Sequence, residues 1–413
     1  MESARSYAVL SPAEGQLREF YAKRRFSSSV SRELRRVHLL LAVLRRTAKY
    51  GPAASRESGL PLARLAQDCW NRCRPDWRWP DDYYNFKLYL NGRDETAPHF
   101  LSQCISVLLL RTLNDRDESA ILNDKIVFAA ECARLGLPHI ETVAYFEGGE
   151  LKRGGAASAE QLPKEDLFVK ATNLFCGFGA ERWRFDPKSA SYSNGDVTLS
   201  GDELLRRIRE LSRCGVPSSA WDRFAARIPR LVPFATRELQ KPRPYLIQKE
   251  MKVHPVVQPF TNGSLCTVRV VTGRYHGGAP SPIMAALRMP VGSAVVDNFA
   301  AGGIASPVDL GTGRLGPGTF KDPRKQKTNV HPDTGAQLDG TILPFWEDVM
   351  ALALRAHDSF KKVATVGWDV AITPDGVKLV EANTGWCVEV VQMANDSPLG
   401  TTELPKMLAS HLN

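Results

Sequence analysis

The sequence lacks any long hydrophobic run. Its longest strongly apolar stretch covers residues 37–44 and includes a histidine, whereas a membrane-spanning helix needs roughly 20 apolar residues. The first residues, MESARSYAVLSPAEGQLREF, carry charge throughout, and they show neither the apolar core nor the small-residue cleavage site of a signal peptide. These two absences predict a cytoplasmic protein without a membrane-spanning segment.

The sequence also offers little for covalent or zinc chemistry. Its eight cysteines are scattered, and most lie in apolar runs, where a reduced thiol behaves as a small hydrophobic side chain. Cys69 and Cys73 have no second Cys or His pair nearby, which argues against a zinc site. No Ser/His/Asp or Cys/His arrangement stands out, so we expect chemistry that needs no protein nucleophile.

The net charge of +9 is compatible with nucleic acid, an anionic membrane or an anionic small ligand such as a nucleotide. Basic and aromatic residues do not interleave, and no nucleic-acid-binding module is recognisable. We therefore expect no nucleic acid partner. A basic protein that binds a membrane surface or nucleic acid is kept as a further alternative.

Residues 1–80 have a helical and basic pattern. The segment SRELRRVHLLLAVLRRTAKYG predicts an amphipathic helix that ends at Gly51. Its apolar face would carry Leu34, Val37, Leu41 and Leu44, and its basic rim would carry Arg35, Arg36, Arg45 and Arg46. Two interpretations remain open: the apolar face docks on the protein core, or the helix makes weak peripheral contact with anionic lipid.

With 413 residues, the chain is long enough to divide into two or three lobes. A Gly-rich segment at 147–161 predicts a loop between lobes. Strand patterns cover 166–172, 244–251, 266–275 and 282–291, and helical patterns cover 201–214 and 344–362. This mixture predicts an α+β protein with largely antiparallel sheets.

The segment VGWDVAITPDGVKLVEANTGW, residues 366–386, contains three oxygen donors. The Pro-Asp-Gly turn should close a hairpin, which would bring Asp369 and Glu381 together and leave Asn383 on the face of Glu381. Carboxylate and amide oxygens suit Mg²⁺, which often completes its shell with nucleotide phosphate. The alternative is a hairpin end that carries solvated acids.

Two lysines could contact polyphosphate. Lys170 ends a strand pattern and precedes a loop with Gly177 and Gly179, whose backbone N–H groups could close over phosphate oxygens; a plain β-turn is the alternative. Lys125 could contact phosphate as well. It could equally be an ordinary first-turn residue of a helix capped by Asn123 or Asp124.

The order of these motifs resembles the ATP-grasp superfamily from about residue 80 to the C-terminus. NDK and FVK…CGFG look like its two phosphate-contacting lysines and its phosphate loop, and the hairpin looks like its metal hairpin. IQKEM resembles the strand that links the lobes. The resemblance implies that Gln248 faces the adenine amino group and that Lys249 and Met251 offer backbone groups.

Finer motifs resemble the sugar-transfer-associated ATP-grasp family: YLIQKEMKVHPVV, CTVRVVT, ALRMPVGSAVVDNFAAGGI, HPDTG and EANTGW. Arg288 and Asn298, before Gly302 and Gly303, are also similar to an element of the ribosomal-protein glutamate ligases that surrounds the triphosphate. Arg269 could bind a carboxylate or the transferred phosphate, or it could form an internal ion pair.

The resemblance implies an α+β ATP-grasp fold, with two α+β lobes gripping ATP and a helical N-terminal extension. The expected regions are a basic helical region at 1–80, a helical linker region at 81–157, a first lobe at 158–258 and a second lobe at 259–413. Mg²⁺ would be held by Asp369, Glu381 and Asn383.

The leading functional hypothesis is an ATP-dependent carboxylate–amine ligase that acts through an acyl phosphate, linked by the family name to polysaccharide assembly. Catalytic work would fall to Lys170, Arg269, Arg288 and Asn298, and ATP binding to Lys125, Lys170, Gly177, Gly179, Gln248, Lys249 and Met251. Its partners would be a small-molecule carboxylate and an amine. The alternative is a phosphotransferase that stops at a phosphorylated product.

Overall fold

A computed structural model describes residues 10–25, 32–76, 78–172, 180–215, 241–292 and 297–412. No helix in these ranges is long and apolar enough to cross a membrane. The described part of the chain builds two antiparallel sheets with helices packed on them, as the sequence predicts.

Four helices open the described chain: α1 (Pro12–Arg25), α2 (Arg32–Ser58), α3 (Leu62–Cys73) and α4 (Pro80–Asn85). The predicted stop of α2 at Gly51 is wrong, because the helix continues to Ser58. Gly51 instead allows a close approach: a Cβ there would lie 2.9 Å from Leu62 Cδ2 on α3. The glycine therefore serves helix packing and not termination.

The expected docking face of α2 is also wrong. Leu34, Val37, Leu41 and Leu44 are 51–57% exposed. The helix packs on the protein through the opposite face, which carries Leu39, Val43, Tyr50 and Ala54. The run of apolar residues between Val37 and Leu44 goes around the whole helix, so its pattern could not tell the two faces apart.

Three further helices, α5 (Gln103–Leu113), α6 (Arg116–Asn123) and α7 (Lys125–Arg134), lead into the first sheet. Asp124 caps α7, because its side chain accepts hydrogen bonds from the backbone N–H groups of Ile126 and Val127. Lys125 is therefore the first residue of a helix.

The first sheet has seven strands in the order β2-β1-β7-β3-β4-β5-β6. Their bounds are β1 Thr142–Glu147, β2 Glu150–Gly154, β3 Leu167–Ala171, β4 Glu181–Asp186, β5 Ser191–Ser193, β6 Thr198–Ser200 and β7 Tyr245–Lys249. Helix α8 (Gly201–Cys214) packs on this sheet through leucines and Ile208.

The predicted loop at 147–161 is wrong in part, because it contains β2. Strands β1 and β2 form a hairpin in the same sheet as β3 and β7. The sheet therefore begins at Thr142, ahead of residue 158, where the sequence placed the start of the first lobe. Strand β2 is mostly exposed, so it lacks the apolar alternation that would reveal it.

The second sheet has six strands in the order β11-β10-β9-β8-β12-β13. Their bounds are β8 Thr267–Arg274, β9 Pro280–Met289, β10 Ile304–Val308, β11 Thr319–Phe320, β12 Thr365–Thr373 and β13 Gly376–Asn383. The described residues also form the helices α9 (Trp346–Asp358), α10 (Val388–Asn395) and α11 (Leu404–Ala409).

Both faces of the second sheet are covered. One face packs against α9, and Val270 and Leu287 belong to that core. The other face packs against α10, α11 and the N-terminal helices, and Val271 and Ala286 belong to this second core. Every residue of β8 and β12 is consequently buried, and the polar side chains on these strands must find partners inside the protein.

Candidate active site

A cavity of about 790 Å³ lies between the two sheets. Side chains from both sheets and from the start of α7 line it, and this volume falls in the range of pockets that hold cofactors and other small molecules. Among the lining residues are Lys125, Lys170, Gln248, Lys249, Met251, Arg269, Arg288, Asn298, Asp369, Glu381 and Asn383. The structure thus gathers all the predicted site residues that it describes around one cavity. Gly177 and Gly179 lie outside the described residues.

The predicted hairpin is confirmed as β12 and β13. Asp369 lies directly opposite Glu381, and Asn383 lies opposite Gly367. A bulge follows Asp369, and such irregularities re-aim side chains at the end of a strand pair. The three oxygen-bearing side chains meet at the cavity wall.

Asp369 is held by two arginines from neighbouring strands. Arg269 Nε lies 2.6 Å from Asp369 Oδ1 and Arg269 Nη2 lies 3.1 Å from Oδ2. Arg288 Nη2 donates to the same Oδ2 at 3.0 Å. Burial would raise the pKa of Asp369, but the two guanidinium groups outweigh it and hold the pKa below its ordinary value. Of the two interpretations of Arg269, the internal ion pair is the one in the structure.

Arg288 also reaches a carboxylate that the sequence reasoning missed. Asp297 accepts from Arg288 Nη2 at 3.3 Å and from the Thr267 backbone N–H at 2.8 Å. Burial raises the pKa of Asp297, against the opposing effects of Arg288 and Thr267. Nothing in the local sequence singles out Asp297, because its partner Thr267 is distant along the chain.

Asn298, the predicted neighbour of the phosphates, has a local role as well. Its Oδ1 accepts from the Ala300 backbone N–H at 2.9 Å and caps the short turn of residues 299–301. The side chain still lines the cavity. The cap uses only Oδ1, and the amide nitrogen Nδ2 takes no part in it.

The two lysines converge on Glu381. Lys125 Nζ lies 3.7 Å and Lys170 Nζ lies 3.6 Å from Glu381 Oε1, which is longer than a hydrogen bond. Lys125 also donates to the Thr172 carbonyl at 3.0 Å. Burial, together with the charge of Lys125, lowers the pKa of Lys170, and Glu381 opposes this shift. An anion bound between the ammonium groups would relieve their repulsion.

Glu381 keeps its negative charge in this surrounding. Burial would raise its pKa, but Lys125 and Lys170 outweigh burial and hold the pKa below the ordinary value. A charged carboxylate is what a metal ligand at this position requires.

Strand β7 and the residues after it form another wall of the cavity. Gln248 is buried there, while the Lys249 side chain turns away and pairs with Glu165 at 2.7 Å. Met251 follows two residues after the end of β7 and also lines the cavity. The Lys249 side chain is therefore directed at Glu165, and its backbone is what it contributes to the cavity wall.

The donor set at the hairpin fits a hard divalent cation. Among the described residues no three His, Cys, Asp or Glu side chains group as a metal site, so the amide oxygen of Asn383 is needed beside the two carboxylates. Asn383 Nδ2 points toward Asp369 Oδ2 at 3.4 Å, which leaves its oxygen for a ligand. Glu381 and Asn383 are thus the readier donors, since Asp369 must share its oxygens with two arginines.

A model of the sugar-transfer associated ATP-grasp family matches residues 105–405. The chain belongs to this family. The ATP-grasp range includes every predicted site residue and begins within α5, so helices α1 to α4 lie outside it. A comparison with curated proteins found no match.

Solved structures with the ATP-grasp fold resemble the chain only distantly. D-alanyl-alanine synthetase A from Vibrio cholerae is 12% identical, with 69% of this chain and 62% of that chain covered and a TM-score of 0.35. Biotin carboxylase from Campylobacter jejuni is 12% identical, with 75% and 52% covered and a TM-score of 0.40. The chain thus spans less than two thirds of either protein. These likenesses do not identify a substrate for this chain.

Proposed function

We propose that this protein is an ATP-dependent carboxylate–amine ligase. The substrate carboxylate would take the γ-phosphoryl group to give an acyl phosphate and ADP. The amine nitrogen would then attack the acyl carbon, and phosphate and a proton would leave. The family's association with sugar transfer supports a substrate from polysaccharide or related biosynthesis.

One observation carries the proposal: two lysines from different elements meet a carboxylate of the β12–β13 hairpin inside one cavity. Lys125 comes from α7, Lys170 from β3 and Glu381 from β13. Four cationic side chains at this end of the cavity, Lys125, Lys170, Arg269 and Arg288, face three carboxylates, Asp297, Asp369 and Glu381. This arrangement favours a polyanion with a bound cation.

The protein's own groups would bind and orient. Lys125, Lys170 and Arg288 would hold phosphate oxygens, and Glu381 and Asn383, with Asp369, would hold Mg²⁺. ATP would supply the phosphoryl group, and Mg²⁺ would neutralise the charge that develops on it. Gln248 and the backbone of Lys249 and Met251 would contact the base. Because all the work is positioning and charge stabilisation, no protein nucleophile is needed.

The test is ADP release with a panel of amino acids, uronic acids and sugar-linked carboxylates, with and without amines. A ligase releases ADP and phosphate in equal amounts, and it needs an amine for the amide product. ADP without free phosphate, together with a stable phosphorylated product, would establish the phosphotransferase alternative. Strong DNA or vesicle binding without detectable ATP binding would contradict both enzymes.

A further inference from the structure

Helix α2 presents an apolar row to the outside of the protein. Val37, Leu40, Leu41 and Leu44 are 52%, 46%, 57% and 51% exposed, although the helix is well anchored by its opposite face. The residues Val37, Leu41 and Leu44 recur at intervals of four and three, which places them along one side of the helix. Isolated exposed leucines are ordinary, but a row of four on one helix marks an interaction surface.

Basic side chains border this row. His38, Arg45, Lys49 and Arg56 recur at intervals of seven, four and seven, so they run beside the apolar residues along the helix. Arg36, Arg45 and Arg56 are exposed, and within the described ranges none of them has an acidic partner. Arg46 differs, because it turns inward and pairs with Asp81 at 2.7 Å.

The charge distribution distinguishes two candidate partners for this apolar row, a second copy of α2 and an anionic lipid surface. A second copy of α2 would bring basic borders together, because the helix has only two acids, Glu33 and Glu57. Glu57 is already engaged by Lys87 Nζ and by the Tyr89 hydroxyl. An apolar row with basic borders and almost no free acid complements a surface of anionic headgroups over acyl chains.

We propose that α2 docks this protein on an anionic lipid bilayer. The helix lies in the plane of the interface, Val37, Leu40, Leu41 and Leu44 enter the boundary between headgroups and acyl chains, and Arg45 and Arg56 contact lipid phosphates. The surface lies outside the range of the ATP-grasp match and outside the cavity wall, so the proposal does not depend on the proposed ligase activity.

The experiment is flotation of the full chain with vesicles of phosphatidylcholine, or of phosphatidylcholine with about 30 mol% phosphatidylglycerol, whose negative surface potential attracts basic residues. We expect binding to the anionic vesicles alone, weakened by salt. The variant Arg45→Glu/Arg56→Glu should bind about 25-fold more weakly or worse, because each lost arginine costs about five-fold. Leu41→Gln/Leu44→Gln should lose about ten-fold or more.

Matched controls come from other surfaces. Lys164→Glu/Lys188→Glu makes the same change in net charge at exposed lysines in the loops next to β3 and between β4 and β5. Ile342→Gln removes an apolar side chain that is 53% exposed. Both should bind as the unmodified protein does. Equal binding to neutral vesicles, or equal loss in the controls, would overturn the proposal. A different result would also overturn it: light scattering shows a dimer, Leu41→Gln/Leu44→Gln converts the dimer to a monomer, and the protein binds neither kind of vesicle.

Discussion

At the scale of single residues, Glu381 is both a proposed Mg²⁺ ligand and the counter-charge of two lysines. Replacing Glu381 by Gln keeps the volume but removes the charge, so we expect ADP release to fall by orders of magnitude. The fold should lose only about 1 kcal/mol, since the lysine nitrogens lie beyond hydrogen-bond distance. Steady-state ADP release and urea unfolding measure the two effects.

The control for this substitution is Glu347→Gln, which changes an exposed glutamate near the start of α9 and should leave turnover unchanged. Near-normal ADP release in Glu381→Gln would show that the metal site is misplaced.

Asp369 differs from Glu381 because its oxygens are filled by arginines. Asp369→Asn leaves the buried Arg269 without a carboxylate, and we expect a loss of about 3–5 kcal/mol in the free energy of unfolding. Arg269→Met should also destabilise, whereas the double variant should lose clearly less than the sum of the two. Urea unfolding of all four proteins gives the coupling, and strict additivity would contradict an energetically important pair.

The residues of the site could be predicted in part. The spacing around the Pro-Asp-Gly turn was enough to bring Asp369 and Glu381 together, because hairpin register is a local property. The partners of Asp369 could not be predicted, since Arg269 and Arg288 reach it from strands that lie 100 and 81 residues earlier in the chain. Asp297 was missed because Thr267, which lies 30 residues earlier, reaches it from the start of β8.

At the scale of helices and strands, Asn114 connects the end of α5 to both strands of the β12–β13 hairpin. Its Nδ2 donates to the carbonyls of Thr365 and Thr384 at 3.0 and 2.9 Å. Its Oδ1 accepts from the backbone N–H groups of Ala364 and Thr365 at 2.9 and 3.2 Å. One buried side chain thus fixes the start of β12 and the residue that follows β13.

Asn114→Ala leaves these backbone groups without partners, and we expect a loss of about 3 kcal/mol or more in the free energy of unfolding. Because the hairpin end would lose its anchor, the apparent Mg²⁺ affinity in ADP-release assays should also fall. Thr112→Ala is the control, since Thr112 is an exposed residue of the same helix that bonds only within the helix. A variant as stable as the unmodified protein would refute the role of Asn114.

Strongly patterned elements could be predicted from the sequence, and weakly patterned ones could not. Helix α8 begins with a capping box formed by Ser200 and Glu203. Strands β3, β7, β8 and β9 coincide with apolar runs in the sequence. Strand β2 was not predicted, because its residues are mostly polar. The docking face of α2 was predicted wrongly for the opposite reason, since apolar residues occur on both faces of this helix.

At the scale of the whole molecule, the N-terminal helices and the second sheet share one core, and a buried polar cluster lies between them. Asp82 at the start of α4 accepts from Ser102 Oγ, and its Oδ1 has no partner. Asn85 of the same helix donates to Glu389 of α10 at 3.1 Å, and Lys321 also pairs with Glu389. The cluster joins the region outside the ATP-grasp match to the wall of the cavity.

Burial raises the pKa of Asp82 from 3.8 to about 7, with Glu389 adding to the shift and Ser102, Arg78 and Lys321 opposing it. The folded state therefore binds a proton that the unfolded chain releases above about pH 4, and the stability that this proton provides falls as pH rises from about 4 to 7. Asp82→Asn mimics the protonated form and keeps an acceptor for Ser102. Its free energy of unfolding should exceed that of the unmodified protein by an amount that grows from pH 5 to pH 7, reaches on the order of 2–4 kcal/mol and then stays level. Urea unfolding of both proteins at pH 5, 6, 7 and 8 measures this difference, and a difference that does not change with pH would show that Asp82 is already ionised in the folded protein at pH 5.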